Sequence, residues 1–227
     1  YYGVVCTEQK DIVSVENTLY LALPADARGV VVTGNWDALG MRGTISRTLI
    51  FNDVFVNDDA QLLPNNIYFK LTQLYPYIFF TLASTYMGIA QAAYDFTIKY
   101  LRGEVEGIPP IKRRKDKIKQ FVVAEMFIKL EQTKALFRTV INEAQFNPSK
   151  AKRLRIYAAN YTIMENSNEL CRLAIRVCGG HSLLKPLPLE RLYRDSCCGA
   201  IMRPWPSDRC LDKLGFETLY EPGEIDD

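Results

Sequence analysis

The side chains best suited to chemistry gather in one stretch, Arg176-Val177-Cys178-Gly179-Gly180-His181-Ser182. His181 is the only histidine of the 227 residues, and histidine is the side chain whose ordinary pKa lets it move a proton near neutral pH. Gly179-Gly180 ends an apolar helical run. With no Cβ in the way, such a turn lets a flat or phosphate-bearing ligand approach the backbone N–H groups. Plainer readings stand beside these: the glycines as a helix C-cap, and His181 as a loop residue bonded to backbone. The basic run Lys112-Arg113-Arg114-Lys115-Asp116-Lys117-Ile118-Lys119 suits either a solvated helix start or a contact with nucleotide phosphates.

Other chemistries are disfavoured. The six cysteines, Cys6, Cys171, Cys178, Cys197, Cys198 and Cys210, contain no Cys-x-x-Cys pair, so no metal site is expected and reduced, mostly buried thiols are. A formal net charge of +2 does not suggest a nucleic-acid partner. No apolar run reaches the roughly 20 residues of a membrane span, and the first residues lack a basic-then-apolar signal. A cytoplasmic setting is the default expectation.

The elements that must position these residues follow from periodicity. Residues 1–63 read as β, with short runs at Val4-Val5, Val13 to Val15, Leu19 to Leu23, Val30 to Val32, Thr48 to Phe51 and Val54 to Val56 separated by turn residues. They suit an antiparallel half-barrel with an open edge that another segment or chain must cover. At Leu63-Pro64-Asn65-Asn66 the spacing becomes helical, which sets the expected domain boundary. One long helix, with Pro76 in its first turn and Gly103 as its stop, carries Ile78, Leu82, Thr85, Ile89, Ala92, Ala93, Phe96 and Tyr100 at three- and four-residue intervals. A second starts near Lys112, and its apolar positions include Ile118, Phe121, Val122, Ile128, Leu136 and Val140. A third, capped by Ser149, runs from about Ala151 to Val177. A shorter helix passes through Arg194-Asp195, and a terminal one begins at Ser207 and ends at Gly215 before an acidic tail. The expected class is α+β: a partial antiparallel β-barrel in residues 1–63, followed by an antiparallel four-helix bundle in 64–227.

Two motifs carry a family resemblance. Gly179-Gly180 followed by Pro186-Leu187-Pro188-Leu189-Glu190-Arg191-Leu192-Tyr193-Arg194-Asp195 resembles the C-terminal helical domain of the acyl-CoA dehydrogenase superfamily. Upstream, Leu39-Gly40-Met41-Arg42-Gly43-Thr44 resembles that family's Leu-Gly-Met-Arg-Gly-Thr segment, and Leu49-Ile50-Phe51-Asn52-Asp53-Val54-Phe55-Val56 resembles the strand that closes its middle β-domain. The resemblance covers nearly the whole chain and implies a C-terminal portion: the second half of the β-domain, then the bundle. It implies FAD, an acyl-CoA or related thioester as substrate, an electron-transfer partner, a role in fatty acid metabolism and homo-oligomers, dimeric or tetrameric, built through the bundle. Under it, Arg176, Gly179, Gly180 and His181 become the cofactor-binding candidates, with the family's glutamine and last glycine replaced here by Arg176 and Ser182.

The implied reaction removes an α-proton with a carboxylate while the flavin accepts the β-hydride. Most of the family carries this base as a glutamate shortly after the Arg-Asp pair, where this chain has Arg203, and arginine keeps its proton at any accessible pH. Other branches carry it at the start of the first bundle helix, where this chain has Tyr77-Ile78-Phe79-Phe80. No catalytic residue is therefore assigned. Oxidation of the CH–CH group of an acyl-CoA is the leading expectation. A flavin-dependent monooxygenase on the same fold and a non-catalytic oligomerising subunit are its alternatives. Glu190, Arg191, Arg194 and Asp195 read as a structural charge cluster, and Trp36 and Trp205 as packing residues.

Overall fold

The computed structural model describes residues 1–9, 17–221 and 223–224. The strand expected at Val13 to Val15 and most of the acidic tail lie outside the described residues. The chain divides into two compact units, Tyr1–Ala38 with Arg42–Pro76, and Leu39–Met41 with Tyr77–Asp227.

In the first unit the period-two pattern gives short antiparallel strands. β1 (Tyr2–Thr7) alternates half-buried and exposed residues and pairs with β2 (Thr18–Leu23) in the register Val4↔Leu21. β2 also pairs with β5 (Gln61–Leu63), with a bulge between Tyr20 and Leu21. β3 (Val30–Thr33) and β4 (Thr48–Phe51) form a separate two-stranded sheet. The strands expected as a half-barrel form two small antiparallel sheets, with no closed barrel among the described residues. Val54 to Val56 is not a strand: Asp53 takes a left-handed φ of 46°, which turns the chain out of the extended run. Helix α1 (Ile67–Leu74) follows the expected boundary but belongs to this unit, its Tyr68 ring lying 5.3 Å from that of Tyr20.

The second unit is helical. A 3-10 turn, Pro76–Phe80, leads into α2 (Thr81–Arg102), which ends on left-handed Gly103. α3 (Lys117–Asn142) starts later than expected because Asp116 is its cap, accepting the N–H groups of Ile118 and Lys119. Lys112 to Lys115 therefore precede the helix. α4 (Lys150–Cys178) begins after Ser149, which contributes its carbonyl to Arg153 N at 3.0 Å with no hydroxyl cap. α5 (Pro188–Ser196) and α6 (Ser207–Leu219) complete the unit. Pro206 stands at the cap of α6, while Ser207 Oγ donates to Glu165 at 2.6 Å, and Gly215 lies inside the helix.

α4 is the central helix, packed against α2, α3, α5 and α6. Its Ile156, Ile163, Met164 and Leu170 are fully buried with Tyr86 of α2, Met126 and Leu130 of α3, and Leu189 of α5. Ala83, Ala90 and Ala93, all fully buried, give α2 a smooth face on which α4 can lie closely. Among the described residues no helix is long and apolar enough to cross a membrane.

Candidate functional site

The turn after α4 holds all four cofactor-binding candidates. Arg176 is exposed in the last helical turn, and Gly180 and His181 are exposed just beyond it. Gly179 caps α4 at φ 82°, ψ −173°, a conformation essentially confined to glycine, and its N–H donates to Ile175 O at 2.8 Å. Gly180 is different. Its φ is not positive, and a Cβ there would meet nothing within 4 Å. Among the described residues nothing lies against that position, so the backbone at Gly180 is open to solvent. Residues 180–183 form a single 3-10 turn, fixed by Ser182 N on Gly179 O at 2.9 Å and by the buried Ser182 hydroxyl on the same carbonyl.

Two residues of the basic run reach the foot of this turn. Lys119 Nζ donates to Val177 O at 2.7 Å, and the Arg113 guanidinium lies 4.5 Å above the Tyr100 ring. Arg113 is tied further through its N–H to Leu101 O at 2.8 Å. Burial pushes the Cys178 thiol up to about 11, against a hydrogen bond to Thr97 and the charges of Lys119 and Arg113. Lys112, Arg114, Lys115 and Lys117 stay exposed. The sequence flagged the run but not the division within it, because only the position of α4's end reveals which cations face inward.

The two positions examined for a base have different surroundings. Arg203 is exposed. Tyr77 is buried and donates its hydroxyl to Glu143 O at 3.1 Å, and Phe80 is stacked on Phe137 at 5.4 Å. Trp205 packs on Tyr157 at 4.5 Å, and its carbonyl accepts from buried Asn160 at 3.0 Å. Tyr157, pushed up to about 12 chiefly by burial, also bonds Glu217, which pairs with Arg153 at 3.2 Å. That carboxylate is committed to structure. Among the described residues no cluster of three or more histidine, cysteine, aspartate or glutamate side chains could hold a metal ion.

The Arg194-Asp195 pair has a role the sequence indicated only as structural. Glu190 holds Arg194 through two bonds of 2.9 and 3.1 Å, Arg194 donates to Leu39 O at 2.8 Å, and Asp195 accepts Met41 N–H at 2.7 Å. The cluster fastens the Leu39–Met41 segment to α5. The two motifs of the family resemblance therefore meet.

Known proteins resemble this chain in sequence and in fold. Residues 80–203 match the family described as acyl-CoA dehydrogenase, C-terminal domain. The chain is 26% identical over 206 residues to the putative acyl-CoA dehydrogenase YdbM of Bacillus subtilis, covering 86% of this chain and 50% of that protein. It is 26% identical over 221 residues to the L-evernosamine nitrososynthase of a Micromonospora strain, covering 90% and 51%. The butyryl-CoA dehydrogenase structure from Megasphaera elsdenii superposes with a TM-score of 0.77 at 21% identity, over 96% of this chain and 56% of that one, a likeness of fold. The chain spans about half the length of the curated relatives it matches. With 124 of its residues (80 to 203) inside the matched domain, the chain belongs to the acyl-CoA dehydrogenase family and carries its C-terminal domain.

Proposed function

We propose that this chain is the C-terminal portion of an FAD-dependent oxidoreductase of the acyl-CoA dehydrogenase type, acting on the CH–CH group of an acyl-CoA or related thioester in a cytoplasmic setting. In this reading residues 1–63 are half of a middle β-domain and 64–227 an antiparallel four-helix bundle. The observation that carries the cofactor assignment is the Gly179-Gly180 turn at the end of α4, where among the described residues nothing lies within 4 Å of a Cβ built at Gly180. Gly179 and Gly180 admit a diphosphate to the backbone, Arg176 supplies a guanidinium, and His181 supplies a ring donor at the same end of α4. Bound FAD supplies the two-electron acceptor. A homo-oligomer is supported by the exposed stripe Ile118, Phe121 and Ile128 on α3, the first two about three-quarters exposed (75% and 74%).

A second reading, a flavin-dependent monooxygenase on the same fold, is favoured by one observation. Arg203 stands where most of the family resemblance places the proton acceptor, and Tyr77 and Phe80 occupy the other location. A reaction that needs no carboxylate base is compatible with that arrangement, and the nitrososynthase relative aligns over 90% of this chain. Anaerobic mixing of the FAD-loaded protein with a panel of acyl-CoAs tests the first reading. Bleaching of the flavin band with formation of a 2-enoyl thioester supports dehydrogenation. A flavin indifferent to every thioester that, once reduced, consumes oxygen and hydroxylates an added substrate contradicts dehydrogenation and supports the second.

A further inference from the structure

The Gly179-Gly180 turn is pinned on its inner side by buried Ser182 and by packing on α5, and its outer side is open. Gly180, His181, Leu183 and Leu184 are exposed, and a Cβ at either glycine would meet nothing within 4 Å. Because the turn follows directly on α4, its place also depends on how the end of α4 is held. The last carbonyls of a helix lack intrahelical partners, and here Ile175 O is taken by Gly179 N while Val177 O is taken by Lys119 Nζ at 2.7 Å. Lys119 is itself fixed at the start of α3, where Asp116 Oδ1 accepts the N–H groups of Ile118 at 2.9 Å and of Lys119 at 3.4 Å. A continuous link runs from Asp116 through Lys119 to the carbonyl two residues before Gly179. A cation at a helix C-terminus is favourable on its own account, and this one brings its charge to the end where an anionic ligand would approach.

We propose that Lys119 is the positioning residue of the Gly179-Gly180 turn, holding it in the pose that accepts the diphosphate of FAD. This inference rests on the flavin reading above. The test compares wild-type protein with Lys119→Met and Lys119→Arg by FAD titration, amide hydrogen exchange and thermal melting. Lys119→Met is expected to weaken FAD binding roughly tenfold, the size of one lost charge-assisted hydrogen bond. It is also expected to speed exchange at Gly179 to Ser182 while leaving the middle of α4 protected. Lys119→Arg, which keeps charge and donors, is expected to restore most of the affinity. Lys119→Gln, a donor without charge, replaces the methionine variant if that one does not fold. Unchanged FAD affinity and unchanged exchange in the folded variant overturn the role of Lys119 and leave the flavin reading standing. Wild-type protein that takes up no FAD overturns the flavin reading itself, and this inference with it.

Discussion

The backbone N–H of Met41 donates to Asp195 Oδ1 at 2.7 Å, joining residues 154 positions apart. Met41 takes a left-handed φ of 53°, which a non-glycine residue holds only when its surroundings enforce it. Gly40 beside it lies against α5 so closely that a Cβ would sit 2.1 Å from Arg194 O. The Gly-Met and Arg-Asp motifs are thus two halves of one fastening. Asp195→Ala is expected to destabilise the protein by about 1.5–3 kcal/mol, the range for a hydrogen bond to a charged group, and Asp195→Asn by less because an acceptor remains. Gly40→Ala is expected to cost about 1–3 kcal/mol or more through backbone overpacking. Denaturant midpoints at constant m-value check all three. Wild-type stability in Asp195→Ala would remove the fastening role.

The two glycines of the candidate site are expected to separate. Gly179→Ala forces a side chain into a glycine-only conformation and should cost about 1–3 kcal/mol of stability. Gly180→Ala meets neither strain nor clash, so its stability should stay within about 0.5 kcal/mol of wild type while FAD affinity falls. Melting curves paired with flavin titrations distinguish them, and equal stability losses in both variants would contradict the account.

Tyr86 is fully buried, and among the described residues its hydroxyl has no hydrogen-bond partner. Burial, with smaller contributions from Cys198 and Asp195, pushes its ionisation well above the ordinary value of 10. Removing an unsatisfied hydroxyl while keeping the ring should be neutral or stabilising by up to about 1 kcal/mol. Tyr86→Phe is therefore expected to melt at or above the wild-type temperature. A large loss of stability would mean that the hydroxyl has a partner after all.

Hydrogen bonds from Arg194 hold the Glu190 carboxyl below its ordinary 4.5 against desolvation, aided by the charge of Arg194 and by Lys185. The folded state then binds fewer protons than the unfolded state in that window, so the contribution is complete above about pH 4.5 and lost as pH falls through the depressed value. Stability measured from pH 6 downward should decline on acidification. Glu190→Gln should flatten part of that slope, and an identical slope in the variant would assign it to other carboxylates.

How much of this was legible in the sequence depended on the kind of signal. Gly103 and the Gly179-Gly180 stop were readable because glycine punctuates helices for a local reason, whereas the start of α3 was misplaced because Asp116, inside a run of lysines and arginines, is the cap. Periodicity identified α2 and α3 and part of their buried faces: Ile89, Ala93, Tyr100 and Val140 are buried as their spacing predicts, but the rest of the stripe is not. Ile78, Leu82, Thr85 and Ala92 are exposed, while Ala83, Tyr86, Ala90, Ala93 and Thr97 face α4, because close helix approach selects small residues over the most apolar stripe. On α3, Ile118, Phe121 and Ile128 point outward and Met126, Leu130 and Thr133 inward. Four strands, β1 to β4, were found by their β-branched or aliphatic runs and β5 was missed, while the pairing into two sheets depends on long-range register that composition does not encode. At the candidate site the glycines and Arg176 were visible as residue types. The contribution of Lys119 was not, since it exists only once α3 and α4 lie side by side.

The measurement that bears most directly on the central claim is FAD binding by the purified protein and by its Gly180→Leu variant, followed by the visible flavin spectrum and by titration. The account predicts saturable uptake of FAD by the wild type, and strongly reduced uptake by a Gly180→Leu variant that melts like the wild type. Absence of FAD binding in the wild type, or equal binding by the folded leucine variant, would contradict the assignment of the turn as a flavin site.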